Sequence, residues 1–166
     1  EAKTIGILYT LSEANSVRQL SEYEELAGEF GFSIVSKGIA AGPDVALAVP
    51  ALISQVDCMS MLLDNTVVQY LDVVLEQSDI TGIPVFGSEV EQVIKGCVAS
   101  QGLDYIALGK MTGELVARVL KGENAATLPF VEIVDSELYI NKEACDVLGI
   151  TIPDDLLARA ILTEGK

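Results

Sequence analysis

Short apolar runs alternate with amphipathic segments along the first 120 residues of the chain. Five runs have the length and the Ile, Val, Leu, Cys and Met content of buried strands, at residues 4–9, 33–37, 57–63, 83–86 and 97–100. The segments between them repeat apolar side chains at helical spacing. In residues 15–30, for example, Val17, Leu20, Tyr23, Leu26, Ala27 and Phe30 fall on one face. This alternation with short connections predicts a parallel sheet covered by helices on both faces.

Capping residues indicate where several of these helices begin and end. Gly31 is expected to stop the first helix, and Pro43 lies in the first turn of the second. Asp64 precedes the third helix and Asp104 precedes a long helix, each as a side chain that can accept from free N–H groups. Ser88–Glu91 match the S-x-x-E capping box of a short helix.

The number of β-α units favours one three-layer α/β lobe with a doubly wound parallel sheet. About five strands is a common size for such a sheet, and the connections suit the flavodoxin-like order 2-1-3-4-5. The pattern changes after residue 129. Residues 130–140, FVEIVDSELYI, indicate two short strands around Asp135 and Ser136, followed by a helix that Asn141 caps and a last helix from Pro153. We therefore separate a lobe, residues 1–129, from a tail, residues 130–166.

Composition narrows the chemistry that this lobe can perform. The chain has no His, so it cannot form a Ser–His or Cys–His couple or a histidine metal site, and it has neither a G-x-G-x-x-G nor a G-x-S-x-G motif. Cys58, Cys97 and Cys145 lack metal-binding spacing and are expected to be buried, inert thiols. The net charge of −15 disfavours nucleic acid as a partner. These features predict a protein that is not an enzyme and holds no cofactor or metal.

Polar side chains follow the predicted strands at the edge where ligands bind in open parallel sheets. Each of these loops places an acid beside a hydroxyl or an amide. Helix N-termini at this edge offer N–H groups to an anion, and the acids offer oxygen atoms to a cation, so a zwitterionic small molecule would satisfy both. The candidate ligand-binding residues are Ser12, Asn15, Ser16, Asp64, Asn65, Thr66, Ser88, Glu89, Asp104 and Tyr105.

The acids and the N–H donors at this edge suggest separate roles for these residues. Asp64 and Glu89 are expected to hold a cationic group such as an α-ammonium. Ser12, Asn15 and Ser16, with the N–H groups of the first helix, are expected to contact the solute's carboxylate. Glu13 lies among them and would repel an anion, so we expect its side chain to turn outward to solvent.

Two other classes of function remain compatible with the residues. A flavodoxin-like cofactor-binding module would use the hydroxyls of YTLSEANS as a phosphate loop, although Glu13 places a negative charge where the phosphate would lie. A small-molecule enzyme fragment would use Asp64 or Glu89 as a base.

Several motifs in chain order resemble the ABC-transporter substrate-binding protein family that includes tryptophan- and aromatic-amino-acid-binding lipoproteins. They are IGILYTLSEANS, DNTVV, IPVFGSE, GLDYIALGKMTGELVARVLKGE and ELYINKEACDVLGITIPDDLLARA. The resemblance covers nearly the whole chain and implies one lobe, the C-terminal one, of a type I periplasmic-binding-protein-like fold. In such proteins two lobes close on a ligand, so the tail at residues 130–166 would supply hinge or crossover strands and helices packed on the lobe or a partner.

The same resemblance implies a biological setting. It predicts an amino acid ligand, an ABC permease as partner, an extracytoplasmic location and a lipid anchor on an N-terminal part outside this chain. A lobe separated from its companion should bind its solute weakly. Because residues 130–140 are strongly apolar, the isolated lobe is also expected to self-associate as a homodimer.

Overall fold

A four-stranded parallel sheet lies at the centre of the computed structural model, which describes residues 2–133 and 136–163. Its strands are β1 (Thr4–Thr10), β2 (Ser33–Ile39), β3 (Cys58–Ser60) and β4 (Val85–Phe86), in the order β2-β1-β3-β4. Each neighbouring pair is parallel. The prediction of a doubly wound α/β lobe with a parallel sheet is confirmed.

Helices connect these strands at the positions that the apolar spacing predicts. They are α1 (Ala14–Ala27), α2 (Val45–Ile53), α3 (Asn65–Gln69), α4 (Leu71–Thr81), α5 (Val90–Lys95), α6 (Tyr105–Leu120), α7 (Lys142–Val147) and α8 (Asp154–Leu157). The third predicted helix is divided into α3 and α4, because the backbone leaves helical geometry at Tyr70. The Tyr70 ring lies against Gly42 and leaves no room there for a side chain.

The hydrophobic core lies mainly on one face of the sheet. Leu8 points to that face with Val49, Met59 and Val74, and all of these side chains are almost completely buried. The adjacent Ile7 points to the opposite face, as strand geometry requires, and packs with Leu20 of α1 in a smaller cluster. The sheet therefore holds α1 on one side and α2 and α4 on the other.

A second sheet of three strands joins the tail to the lobe. It contains β5 (Ala99–Leu103), β6 (Ser136–Asn141) and β7 (Ala160–Thr163), with β5 antiparallel to β6 and β6 parallel to β7. The chain at β5 also lies beside β4, since Val98 N–H donates to the Val85 carbonyl and Gly87 N–H to the Ala99 carbonyl, both at 2.8 Å. The fifth strand thus occupies its predicted place next to β4, but it pairs along its length with the tail.

The tail differs from its predicted arrangement. Where two strands were expected around Asp135 and Ser136, the structure has one strand, which begins at Ser136, while residues 128–133 form no strand and Asp135 lies outside the described residues. The short strand β7 was not predicted. Since β6 is paired on both sides, its residues do not offer the open edge from which self-association was inferred. The homodimer and the boundary at residue 129 both stay predictions.

The capping predictions had mixed outcomes. Asn141 Oδ1 accepts from Ala144 N–H at 3.0 Å and caps α7 as expected. The capping box at Ser88 is wrong: Glu89 is the N-cap residue of α5, and its side chain makes no capping bond. Instead the buried Gln92 turns back and its Oε1 accepts from Ser88 N–H at 2.8 Å. Gln92, four residues after Ser88, therefore takes the role that was predicted for Glu91.

Two further properties bear on function. The three cysteines are buried and unpaired, and burial raises the pKa of Cys97 to about 12, so that thiol stays protonated and unreactive. Across the described ranges, the helices are all too short or too polar to cross a membrane.

Candidate functional site

The loop after β1 and the loop after β3 are joined by a buried carboxylate. Asp64 precedes α3 and has no exposed surface. Its Oδ2 accepts from Thr10 N–H at 2.7 Å, and its Oδ1 accepts from the Thr10 hydroxyl at 2.7 Å and from Val67 N–H at 2.8 Å. One side chain therefore caps its own helix and holds the end of β1.

The ionised form of Asp64 is the one that the fold stabilises. Burial acts to raise the pKa of this carboxyl, but the bonds from Val67 N–H and from the Thr10 hydroxyl and amide, with the nearby Ser16 hydroxyl, together outweigh it and hold the pKa below its usual value. Both carboxylate oxygens of Asp64 already accept hydrogen bonds from the protein, and neither reaches the surface. A solute could therefore not contact this side chain. We therefore reassign Asp64 from contact with an ammonium group to positioning of the two loops.

Glu13 makes the reciprocal connection from the loop after β1. Its Oε2 accepts from the backbone N–H and the side-chain amide of Asn65 at 2.9 and 3.0 Å. Its Oε1 accepts from the backbone N–H and the hydroxyl of Thr66, both at 3.1 Å. The expectation that Glu13 turns outward to solvent is wrong, because four donors at the amino end of α3 bind its carboxylate, where the helix dipole favours a negative charge.

Two amide side chains of α1 complete the connection between these loops. Asn15 Nδ2 donates to the Leu63 carbonyl at 2.6 Å, and Leu63 N–H donates to Gln19 Oε1 at 3.3 Å. The start of α1, the end of β1 and the start of α3 are thus joined by side chains from both directions. Thr10 and Gln19 were not expected at this site, and Glu13 was expected to face solvent. One signal could have identified the role of Glu13: it is an acid that follows one strand, and a helix begins after the neighbouring strand.

The helix amino ends at this edge differ in how much of their hydrogen-bonding capacity is already used. Asp104 Oδ1 caps α6 by accepting from Ile106 N–H at 2.8 Å and Ala107 N–H at 3.0 Å. By contrast, α1 has no side-chain cap. Ser12 lies exposed just before it, and the buried Ser16 hydroxyl lies near the Asp64 carboxylate, where it helps to lower the pKa of that acid.

Glu89 differs from the other acids at this edge. It is half-buried at the start of α5, and among residues 2–133 and 136–163 no group donates a hydrogen bond to its carboxylate. Burial raises the pKa of Glu89, the nearby Glu91 adds to the rise, and Lys95 opposes it. The backbone of Glu89 lies close to Gly102 of β5, so this residue follows β4 at a point beside β5.

The predicted site residues therefore fall into two groups. Asn15, Asp64, Asn65 and Thr66 lie together in the network that joins two loops, with Ser12 and Ser16 beside it at the start of α1. Ser88, Glu89, Asp104 and Tyr105 follow β4 and β5, where Tyr105 is about half exposed. In the described residues no cluster of three His, Cys, Asp or Glu side chains is arranged to hold a metal ion.

Comparison with known proteins decides the family. The model for the family described as ABC transporter substrate binding protein matches residues 1–163. The chain belongs to this family. It is also 31% identical over 150 residues to a tyrosine-binding protein of Clostridioides difficile, an alignment that covers 90% of this chain and 44% of that protein.

Two solved structures superimpose closely on the chain. The complex of an ABC domain with L-Trp from Streptococcus pneumonia gives a TM-score of 0.89 at 32% identity and covers 97% of this chain and 55% of that one. A conserved domain protein from Vibrio cholerae gives a TM-score of 0.90 at 34% identity and covers 99% and 55%. The chain therefore spans about half the length of the relatives it matches.

The buried position of Asp64 predicts a large effect of a small substitution. In Asp64→Asn, one oxygen is replaced by an NH₂ group that would face a donor such as Thr10 N–H. We expect the free energy of unfolding to fall by about 1–3 kcal/mol, measured by urea denaturation at pH 7. Asp104→Asn is the matched control, because Asp104 caps with one oxygen only and Asn caps equally well, so its stability should be nearly unchanged.

The pH dependence of stability gives a second test of the role of Asp64. The lowered pKa of Asp64 means that its ionised form stabilises the fold above the ordinary value of 3.8, and that this contribution is lost as pH falls through the lower, folded-state pKa. The difference between the natural protein and Asp64→Asn should therefore shrink in acid. Equal losses for Asp64→Asn and Asp104→Asn, or a difference independent of pH, would contradict the positioning role.

Glu13 can be tested at the amino end of α3. In Glu13→Gln, the helix loses a negative charge at its N-terminus, and two donors meet an NH₂ group. We expect a loss of about 1 kcal/mol in stability and faster hydrogen exchange at the amides of Asn65 and Thr66. Glu24→Gln, on the exposed surface of α1, is the control and should change neither. Unaltered exchange in Glu13→Gln would show that the bridge does not form in solution.

Proposed function

We propose that this chain is one half of a closing cleft that binds an amino acid with an aromatic side chain and delivers it to an ABC permease. The family assignment supports the solute-binding role, and the binding of L-Trp and of tyrosine by two relatives favours an aromatic ligand. An importer role, an extracytoplasmic location and a lipid anchor outside this chain belong to the same proposal.

The observation that carries the ligand class is the free carboxylate of Glu89. The other acids after these strands, Glu13, Asp64 and Asp104, already accept hydrogen bonds from the protein. Glu89 is half-buried without such a donor among the described residues, and its pKa is raised, so its charge costs free energy in this state. An α-ammonium group would supply both the charge and the hydrogen bonds that Glu89 lacks.

The solute's carboxylate needs N–H donors that no side chain of the described residues already caps. Glu13 is the N-cap residue of α1, but four donors of Asn65 and Thr66 hold its carboxylate at the amino end of α3 and offset its charge, so we assign the solute's carboxylate to the uncapped first turn of α1. Ser12 is exposed there. Asn15 contacts the Leu63 carbonyl through its side-chain NH₂ group, so its amide oxygen takes no part in that contact. Asn65 and Thr66 would act indirectly, because their donors already bind Glu13.

Exposed apolar side chains at the strand ends favour an aromatic over a polar solute. Leu63 follows β3, Phe86 ends β4, Leu103 ends β5 and Tyr105 opens α6, and each exposes between about a third and a half of its surface. Apolar and aromatic walls with a few polar groups are typical of small-molecule sites. A second lobe closing over this edge would bury these side chains together with the ligand.

The ligand class can be tested by NMR titration of the labelled chain with L-tryptophan and L-tyrosine. We expect weak binding that shifts the amides of residues 12–16 and 88–90. Tryptamine, which lacks the carboxylate, and indole-3-propionate, which lacks the ammonium, should each bind at least tenfold more weakly. Glu89→Gln should weaken amino acid binding at least tenfold, since a lost charge-assisted hydrogen bond is worth about 1.5–3 kcal/mol.

The control for this titration is Glu91→Gln, which removes an exposed acid from the same helix and should leave affinity nearly unchanged. Affinity should also fall as the pH is lowered through the raised pKa of Glu89, because the protonated carboxyl cannot pair with an ammonium. Equal binding of tryptamine to Glu89→Gln and to the natural chain would contradict the assignment. Flavin absorbance near 450 nm in the purified protein would instead favour the cofactor-binding alternative.

A further inference from the structure

Strand β2 forms an open edge of the four-stranded sheet, because β1 is its only neighbour in the structure as described. In a parallel ladder, alternate residues direct their backbone groups to opposite sides of the strand. Ser33 N–H donates to the Lys3 carbonyl at 2.8 Å. The Ile39 carbonyl accepts from Leu11 N–H at 2.9 Å, so the odd-numbered residues of β2 face β1. The residues whose N–H and C=O groups face outward are therefore Ile34, Ser36 and Gly38.

This edge has few of the features that keep an open strand from pairing, which are charges, prolines, bulges and covering elements. Strand β2 keeps a continuous register with β1 over its seven residues and contains no proline. Residues 30–56 contain only two charged side chains, Lys37 and Asp44. The Asp44 carboxylate accepts from Ala40 N–H and Ala41 N–H, both at 3.0 Å. A chain with a net charge of −15 is therefore close to neutral around β2.

Helix α2, which lies beside β2, has an apolar outer face. Its exposed residues are Ala46, Leu47, Pro50 and Ala51. Leu47 exposes 82% of its surface. A surface helix usually turns polar residues outward, and a helix that is apolar all round is usually buried. Between α2 and β2 lies a cavity of about 290 Å³ whose lining includes Lys37, Ile39 and Leu47. This face of the edge therefore has the composition of a covered surface.

The opposite face of the sheet has a second cavity beside β2, of about 320 Å³. It lies against α1, and its lining includes Tyr23, Leu26, Phe30, Phe32 and Ile34. Phe30 exposes 70% of its surface. The acid in this lining, Glu22, forms an ion pair with Arg18 at 2.9 Å. Because successive side chains of a strand point to opposite faces, a strand added to β2 would direct them alternately toward the two cavities.

We propose that a second copy of this chain covers this edge, with its β2 antiparallel to β2 of the first copy across a two-fold axis at Ser36. Hydrogen bonds across the axis require that outward-facing residues of the two strands lie opposite each other. A centre at Ser36 uses all of them, because Ser36 then meets Ser36 of the partner subunit and Ile34 meets Gly38 of the partner subunit. Gly38 has no side chain, so it leaves room for Ile34.

The side chains around the edge complement each other in this register. Leu11 lies over Gly38 and exposes 57% of its surface. Since Ile34 is opposite Gly38 of the partner subunit, Leu11 of the partner subunit comes next to the cavity that Ile34 and Phe32 line. The two-fold axis repeats this contact, so each subunit supplies one Leu11 and receives one.

The apolar area at this edge approaches what a stable dimer needs. The apolar residues there that expose between 36% and 82% of their surface are Leu11, Leu26, Phe30, Phe32 and Leu47. Together they present on the order of 500 Å² per subunit, and the paired strands and the outer face of α2 add to it. Stable interfaces bury about 800 Å² per partner. The near-neutral charge of residues 30–56 lets two acidic chains meet here.

Sedimentation velocity of the 166-residue chain over a wide range of concentrations tests the proposal. We expect a monomer–dimer equilibrium. Ser36→Lys places two like charges at the axis and should raise the dissociation constant about fivefold or more, although it lowers the net negative charge of the chain. Ser36 is exposed, so the variant should keep its fold. Thr81→Lys makes the same change of charge at the exposed end of α4 and should not weaken the dimer.

Hydrogen exchange at low and high protein concentration locates the contact. In the dimer, the outward amides of Ile34, Ser36 and Gly38 should exchange about tenfold more slowly or less, whereas the amide of Val35, which faces β1, should change little. A chain that stays monomeric would overturn the proposal. A dimer without this protection, or one that Ser36→Lys leaves intact, would place self-association at another surface such as residues 130–140 and would also overturn it.

Discussion

The amino end of α3 is the point on which the arrangement of the candidate site depends. Its first N–H groups must be satisfied, and two carboxylates satisfy them: Glu13 binds Asn65 and Thr66, and Asp64 binds Val67. Because Glu13 comes from the loop after β1 and Asp64 reaches back to Thr10, the same bonds that cap the helix also fix the two loops to each other. The side chains that cap α3 are therefore also the ones that hold the two loops together.

This arrangement determines which groups remain for a solute. A negative charge already occupies the amino end of α3, and among the described residues the start of α1 has no side-chain cap and the carboxylate of Glu89 receives no hydrogen bond. One suits an anion and the other a cation, and apolar side chains at the strand ends lie at the same edge. The strongly acidic chain therefore presents groups of both polarities beside apolar side chains at this edge, and it is here that we propose that a zwitterion with an aromatic side chain binds.

The sequence was sufficient for the β-α order and the parallel sheet, because apolar runs of strand length and helical repeats are local signals. The Asp64, Asp104 and Asn141 caps were also predictable, since each lies within three residues of the helix N–H group that it caps. The bridge from Glu13 was not, because its partners are more than 50 positions away. Strand β7 was missed for the same reason: Ala160–Thr163 is paired only through the distant β6.

The central claim is that the Glu89 carboxylate pairs with the ammonium group of the ligand. Carbon-detected NMR titration of the Glu89 side chain, with and without saturating L-tryptophan, measures this most directly. We expect the pKa of Glu89 to lie above its ordinary value of 4.5 in the free protein and to fall when the ligand binds, because the ammonium stabilises the charged form. A pKa that does not change on binding would contradict it.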